Sequence, residues 1–343
     1  MSIAPHASSR RELLLASGTL FAWAFAPKLA RAEGRDPRLL TIVLRGALDG
    51  LAAVAPVGDP DWTSLRGDKA LTLSGQTPGL PLNSFFALNP AMPNLHRLYT
   101  SGAATIVHAT ATPYRERSHF DGQDVLESGV LRPGASQTGW LNRALATLAP
   151  DTGAGSAKRD AFAVGPVTPL VARGPAPVLS WTPPRLPPAN DDTTMRLLDL
   201  YRHTDPALAR ALEERMGLAA IAGAGSSKRP LPVPPPQAGE GKGGGPQAGG
   251  AAQVRAYFAE SAGMAAKFLA QPDGPRIGAL AFDGWDTHQD EGALNGRLAA
   301  LLGALDGALA AIETNMGAAW HDTAVVVVTE FGRTARINGN GLI

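Results

Sequence analysis

Two carboxylates and one imidazole near the C-terminus have the residue types of a divalent-metal site. Asp286 and His288 lie in the segment FDGWDTH at residues 282–288, and Glu330 follows the apolar run AVVVVT at residues 324–329. Carboxylate oxygen and imidazole nitrogen are donors that zinc, manganese and magnesium accept. The pattern predicts half of a metal site. The alternative is that Asp286 caps the following helix and Glu330 only ends a strand.

Each of these segments follows a run that is typical of a buried parallel strand, residues 277–282 and residues 325–328. Between the runs, apolar residues recur at helical spacing: Leu294, Leu298, Leu301, Leu305, Leu309 and Ile312. An apolar face at that spacing packs against a sheet. A strand, a helix and a second parallel strand form a right-handed crossover whose strands end at one edge, where α/β proteins bind ligands. We therefore expect Asp286, His288 and Glu330 to converge.

A further carboxylate, Asp49, follows a strand predicted at residues 39–44. In a doubly wound sheet, a first metal ligand would lie just past such a strand end. Asp49 and Gly50 are also good turn residues, because Asp tolerates the backbone of a turn and Gly supplies a positive φ. Both interpretations of Asp49 stay open.

A serine and a histidine follow another predicted strand, residues 104–109. Ser118 precedes Asp121 by three positions, which predicts a helix N-cap with a partner of the capping-box type. A serine at a helix N-terminus beside arginines such as Arg117 is also where a phosphate or sulfate ester would bind. Activated by a metal ion, Ser118 would be a nucleophile and His119 a ligand or a substrate contact.

Residues 1–32 have the pattern of an export signal. SRRELL at residues 9–14 is a twin-arginine pattern, an apolar stretch covers residues 13–26, and a small-residue site with Ala30 and Ala32 follows at residues 30–32. That stretch is too short to span a bilayer, so we expect no stable membrane span. An amphipathic helix with two surface arginines is the alternative. Recognition by the twin-arginine export machinery would place the folded protein in the periplasm.

The composition limits the remaining classes. The 343 residues are 44% hydrophobic and 18% charged, which is ordinary for a globular protein, and the net charge of +1 lacks the basic character of a nucleic-acid binder. Cysteine is absent, so thiolate ligands and disulfides are excluded. Residues 226–250 are rich in Lys, Pro and Gly, and they predict a disordered insertion. Residues 33–343 are otherwise expected to form one domain.

Taken in order, the motifs resemble the DUF1501 family. The segments that carry this resemblance are the twin-arginine leader, LRGALDG at 44–50, RSHFD at 117–121, FDGWDTH at 282–288 and TEFGRT at 329–334. The family in turn resembles the alkaline phosphatase and sulfatase superfamily. That resemblance implies an α/β fold with a doubly wound, mostly parallel sheet and a site for two divalent ions. Zinc, manganese, magnesium and calcium are not distinguished by the sequence.

The same resemblance implies roles for individual residues. Asp286 and His288 would bind one ion, Glu330 would be an acidic ligand of the other, and Asp49 would be the ligand after the first strand. Ser118 corresponds to the region of the nucleophile. The expected substrate contacts are Arg117, His119 and Arg333, although Arg333 is also placed to pair with Glu330.

The C-terminus departs from the family pattern. Family members continue past TEFGRT into a Gly-rich loop with an Asp-His-Gly motif, whereas this sequence stops at Ile343. We interpret the chain as truncated, with an incomplete fold, one missing metal ligand and an unpaired edge at residues 325–328. A form extended through that loop is expected to bind metal better and to be more soluble.

Two functions are compatible with these features. The first is a periplasmic metal-dependent hydrolase that acts on a small phosphate or sulfate ester. The second is a non-catalytic exported protein that acts as a binding or assembly partner on the same fold. Fold resemblance by itself does not choose between them.

Overall fold

The computed structural model describes residues 36–147, 161–165, 167–182, 191–223, 250–287 and 291–337. By its contacts the chain divides into two units, Met1–Pro37 and Arg38–Ile343, and the account below concerns the second. The predicted export signal at residues 1–32 lies outside the described residues. The same holds for the predicted insertion at residues 226–250, apart from Gly250.

The secondary structure alternates between strands and helices. The described strands are β1 (Arg38–Leu44), β2 (Val54–Ala55), β3 (Leu80–Pro81), β4 (Ala87–Leu88), β5 (Ala161–Val164), β6 (Val178–Trp181), β7 (Ile277–Phe282) and β8 (Thr323–Thr329). The described α-helices are α1 (Gly50–Ala53), α2 (Trp62–Arg66), α3 (Pro93–Thr100), α4 (His119–Ser128), α5 (Trp140–Thr147), α6 (Asp191–Thr204), α7 (Pro206–Gly223), α8 (Ala251–Ala270) and α9 (Arg297–Met316).

Five of these strands form one parallel sheet in the order β6-β5-β7-β1-β8. A separate small antiparallel sheet has the order β2-β4-β3. β1 lies between β7 and β8, so the two strands predicted to form one crossover unit flank the N-terminal strand. The predicted α/β fold with a mostly parallel sheet is confirmed.

Helices cover both faces of the parallel sheet. Leu40, Ile42 and Leu44 of β1 belong to the apolar cluster that contains α8 and α9, whereas Val43 belongs to a second cluster with Leu141 of α5. Successive side chains of a strand point to opposite faces, and a strand that is covered on both faces is apolar throughout. The strand β1 is therefore apolar at every position except Arg38 and Thr41, because helices pack on each side of it.

The apolar helical pattern between the two C-terminal strands corresponds to α9, as predicted. Its buried face includes Leu298, Leu301, Leu305 and Ile312 and packs against α8. In the described part of the chain, the stretch from Arg297 to Asp322 is long and apolar enough to cross a membrane, and half of an 18-residue segment within it is buried. A core helix has the same length and composition, and the packing against α8 places α9 in the core.

β8 is parallel, as predicted, but it is not buried. Val326 is 39% exposed and Val327 37% exposed, because β8 ends the strand order and pairs only with β1 among the described residues. The expected unpaired edge at residues 325–328 is present in this part of the molecule. Four consecutive valines without a charged neighbour make such an edge a template for pairing with another chain.

Residues 104–109 do not form a strand, and this prediction is wrong. Val107 is 72% exposed, and the His108 Nε2 atom lies 3.0 Å from the Val54 carbonyl oxygen. Ile106 packs against the core, so the apolar composition that suggested a strand is used for a local contact. Both sides of β1 are occupied by β7 and β8, and the segment finds no partner there.

Candidate functional site

The strands β1, β7 and β8 end at the same level. Leu44 is in register with Phe282 on one side and with Thr329 on the other. The loop after β1 is joined to the loop after β7, because the Arg45 amide donates to the Phe282 carbonyl at 2.9 Å and the Trp285 amide donates to the Arg45 carbonyl at 3.1 Å. The residues that follow these three strands therefore share one edge of the sheet, as the sequence predicted.

Glu330 is enclosed at this edge by donors from three segments. Its Oε1 atom accepts hydrogen bonds from the Gly46 amide at 2.8 Å and from Gln123 Nε2 at 3.2 Å, and it lies 3.0 Å from His119 Nδ1. Its Oε2 atom accepts from Thr329 Oγ1 at 3.0 Å. Burial raises the pKa of Glu330, but the bonds from His119, its own backbone, Gln123 and Gly46 together outweigh burial and leave the pKa lowered.

Asp286 lies beside Glu330 and is more open to solvent, with 33% of its side chain exposed. Its Oδ1 atom is bound by Arg333, which also donates to the carbonyl oxygens of Ala47 at 2.9 Å and Gly46 at 2.8 Å. The Oδ2 atom of Asp286 is 3.8 Å from His119 Nε2. His119 therefore lies between the two carboxylates, and Arg333 pairs with Asp286.

Asp49 is fully buried and caps α1. Its Oδ1 atom accepts from the amides of Leu51 at 2.9 Å and Ala52 at 3.1 Å. Arg66 binds both carboxylate oxygens, with Nη1 at 2.5 Å from Oδ2 and Nη2 at 3.1 Å from Oδ1. Asp49 is thus a helix N-cap and not part of the predicted turn, since Gly50 begins α1 without a positive φ, and the partner Arg66 was not identified from the sequence. The role of Asp49 as a metal ligand stays a prediction.

A second buried carboxyl group, Glu291, accompanies Asp49. Burial, the charge of Asp49 and a hydrogen bond with Asp49 raise the pKa of Glu291 to about 8, although Arg66 and Arg333 act in the opposite direction. The Oε1 atom of Glu291 is buried without a hydrogen-bond partner in the described part of the chain. With that pKa, Glu291 holds its proton at neutral pH, so the pair carries one negative charge opposite Arg66.

Replacing Glu291 by Gln is expected to remove a pH dependence of stability. The folded-state pKa of about 8 lies above the ordinary 4.5, so this carboxyl stabilises the fold fully below about pH 4.5 and loses that contribution as the pH rises through about 8. Gln keeps a donor at every pH. We expect E291Q to exceed wild type in unfolding free energy by at least about 1 kcal/mol at pH 8, with little difference at pH 5.

Urea unfolding at pH 5, 7 and 8.5 measures this difference. The exposed Glu116 supplies a control, because E116Q removes the same charge without a buried partner. Parallel pH curves for wild type and E291Q would contradict the assignment of a proton to the pair of Asp49 and Glu291.

One face of α4 supplies three polar contacts to the edge. His119, Gln123 and Glu127 are spaced four residues apart and so lie on the same side of the helix. His119 and Gln123 contact Glu330, and Glu127 binds Arg45 Nε at 2.9 Å and Arg45 Nη2 at 2.6 Å. Gln123 and Glu127 were missed in the sequence, although the regular spacing from His119 was a signal that could have identified them.

Ser118 is the N-cap of α4, as its spacing to Asp121 predicted. Its Oγ atom accepts from the Asp121 amide at 3.3 Å. Tyr114 connects the Ser118 amide to the Asp121 side chain. Its hydroxyl accepts a hydrogen bond from the Ser118 amide at 3.2 Å and lies 3.5 Å from Asp121 Oδ2. Arg117 is exposed at the surface. The roles of Ser118 as a nucleophile and of Arg117 as a substrate contact stay predictions.

Two of the four predicted metal ligands, Asp286 and Glu330, lie on either side of His119, whereas Asp49 is held by Arg66 in the loop after β1. The fourth, His288, lies outside the described residues. Within the described ranges, no group of three or more His, Asp or Glu side chains is arranged to hold a metal ion. Arginine side chains occupy one or both oxygens of Asp49 and Asp286.

The fold and this site define an α/β protein with a polar site at the carboxyl edge of a parallel sheet. Residues 102–341, more than half of the chain, match the family described as Protein of unknown function (DUF1501), and the chain belongs to that family. The resemblance drawn from the sequence motifs is confirmed at this level. Searches of curated proteins and of solved structures returned no match to this chain.

Proposed function

We propose that this protein is an exported, periplasmic metal-dependent hydrolase of phosphate or sulfate esters. The observation that carries the proposal is the position of His119 between a buried carboxylate, Glu330, and a partly exposed one, Asp286. The edge where they meet is the part of a parallel sheet at which α/β proteins bind ligands.

The contact with Glu330 orients the His119 ring. Nδ1 lies 3.0 Å from Glu330 Oε1, a distance at which a ring N–H donates to a carboxylate. That bond places the proton of the neutral ring on Nδ1 and directs the lone pair of Nε2 toward Asp286. A histidine that binds a metal commonly donates its other N–H to a carboxylate in this way. Glu330 would thus fix the orientation of the His119 ring through Nδ1, on the side opposite the ion.

The separation of His119 Nε2 and Asp286 Oδ2 fits two ligands of one ion. At 3.8 Å it is too long for a direct hydrogen bond, yet it is less than twice a zinc–ligand bond of about 2.0–2.2 Å. Two donors are fewer than the three or four protein ligands of a zinc site. Within the proposal, His288 supplies a third ligand from outside the described residues.

The remaining side chains have roles that follow from their charges. Arg333 holds Asp286 by its Oδ1 atom and adds positive charge beside the ester oxygens. Ser118 directly precedes His119, and within the proposal its hydroxyl is the nucleophile. A bound ion would neutralise charge that develops on the ester oxygens.

Metal content and hydrolysis in matched variants test this function. We expect the full chain, folded in the cytoplasm, to contain a divalent metal by mass spectrometry and to hydrolyse p-nitrophenyl phosphate or p-nitrophenyl sulfate. D286N and H119Q each remove one donor with little change in shape, and the loss of an ion ligand is expected to lower metal content and activity at least tenfold. Asp199 on α6 is largely exposed, so D199N serves as the control.

Equal metal content in wild type, D286N, H119Q and D199N would contradict the proposed ion site. Hydrolysis that survives in D286N and H119Q would contradict their role in the reaction. Circular dichroism of each variant separates the loss of a ligand from the loss of the fold.

The non-catalytic alternative has an observation in its favour as well. Asp49 and Glu330 are both buried, and each already accepts several hydrogen bonds from the protein itself. Such carboxylates stabilise loops without any ion. A folded wild-type chain that holds no metal and hydrolyses neither ester would support a binding or assembly protein on the same fold.

A further inference from the structure

Arg297 is a partly buried cation beside the proposed site. It is the first residue of α9, and its Nη2 atom donates to the Gly284 carbonyl oxygen at 2.9 Å, two residues before Asp286. Its Nε atom is buried and has no hydrogen-bond partner among the described residues. The sequence patterns did not identify this arginine, because it follows Gly296 at the start of an otherwise apolar helix.

Among the described residues, no carboxylate pairs directly with Arg297. In the part of the chain that the structure describes, Arg297 makes no ion pair within 4.0 Å, whereas Arg333, Arg66 and Arg45 each bind a carboxylate. Burial lowers the pKa of Arg297, Asp286 raises it, and the neighbouring Arg333 lowers it. Partly buried charges are normally paired because their desolvation is costly. Among the described residues, Arg297 therefore has no direct counter-ion.

Its position on α9 adds to this imbalance. The N-terminus of a helix carries partial positive charge, so a cation there is unfavourable, and the first turn of α9 contains no acidic residue. The amides of Leu298 and Ala299 already donate to the carbonyl oxygens of Glu291 at 2.8 Å and Gly292 at 3.2 Å. The guanidinium, and not the helix backbone, is the group available to a ligand.

We propose that Arg297, together with Arg333, binds the tetrahedral anionic group of the substrate, a phosphate or sulfate. This inference deepens the proposed function, on which it rests for the identity of the substrate. Asp286 binds Arg333 and also acts on Arg297, and an oxyanion would offset the mutual repulsion of the two guanidinium groups. A guanidinium binds such an anion through parallel N–H donors, which also orients it.

Anion binding without metal tests the role of Arg297 separately from catalysis. The probes are inorganic sulfate and inorganic phosphate, titrated calorimetrically into the full chain at constant ionic strength with a chelator present. We expect R297Q to weaken binding about ten- to a hundredfold relative to wild type, as for the loss of a hydrogen bond between charged groups. R297K keeps the charge without the planar fork and should lie between the two.

The control is R132Q, which removes an exposed arginine and should bind as wild type does. R297Q should melt at the same temperature as wild type or higher without anion, because it removes a charge that has no ion-pair partner among the described residues, so a folding defect is not expected. Equal binding by R297Q and wild type, or no binding by wild type, overturns the proposal. Anion binding that depends on Arg297 in a protein without hydrolytic activity would refute the proposed reaction and retain this anion site.

Discussion

Replacing Arg66 by Met is expected to cost about 3–5 kcal/mol of unfolding free energy, the range for breaking a buried ion pair. Arg66 is 2% exposed and Asp49 is fully buried, so the variant leaves a carboxylate without its cation in the interior. The amides of Leu51 and Ala52 remain as donors, but they do not neutralise its charge. Urea unfolding at pH 7 measures the change.

An exposed ion pair supplies the comparison. Arg97 and Glu313 form a pair at the surface, where solvent screens the charges, and R97M is expected to cost less than about 1 kcal/mol. The double variant D49N/R66M removes the buried charge together with its partner. It should be less destabilised than the two single variants combined. An R66M protein as stable as R97M would show that the buried pair is not needed for the fold.

Replacing Gly46 by Ala is expected to cost about 3 kcal/mol or more. Gly46 has a φ of +117°, which a side chain rarely adopts, and an added Cβ would lie 2.4 Å from the Asp286 backbone nitrogen. Strain of this kind costs about 1–3 kcal/mol, and the collision with backbone atoms adds to it. Since the Gly46 amide also binds Glu330, the change should displace Asp286 and Glu330 together.

Gly50 is the matched control for this substitution. A Cβ at Gly50 meets nothing within 4 Å, and the residue begins α1, so G50A should be neutral or stabilising by up to about 1 kcal/mol. Urea unfolding compares the two variants, and sulfate titration reports whether the site is displaced in G46A. A G46A protein with wild-type stability and sulfate affinity would contradict the close approach of the two loops.

Local patterns in the sequence were sufficient for several elements. The apolar runs predicted β1, β7 and β8, and the spacing of leucines predicted α9, because burial on one or two faces leaves a direct signature in the order of residues. The spacing of Ser118 and Asp121 predicted the cap of α4, since that contact is local in the chain. Residues 104–109 are mostly apolar like the true strands but have no partner strand in the sheet. Their composition alone therefore led to the wrong prediction of a strand.

The local sequence patterns did not predict contacts between segments that are distant along the chain. The pairing of Asp49 with Arg66, of Arg45 with Glu127 and of Arg333 with Asp286 depends on which loops meet at the sheet edge. Arginine and carboxylate residues occur throughout the chain, so their order along it does not choose among possible partners. The half-exposed position of β8 depended in the same way on its place at the end of the sheet.

The sequence by itself determined the family, the α/β class and the convergence of Asp286 and Glu330, because parallel strands end at a common edge whatever their order. The tertiary structure decided that β1 lies between β7 and β8, and thereby brought Gly46 against both the Glu330 carboxylate and the backbone of Asp286. It also decided which arginines neutralise those carboxylates and that Arg297 has no ion-pair partner among the described residues. Charge pairing depends on distances in space, and those are set only when the chain has folded.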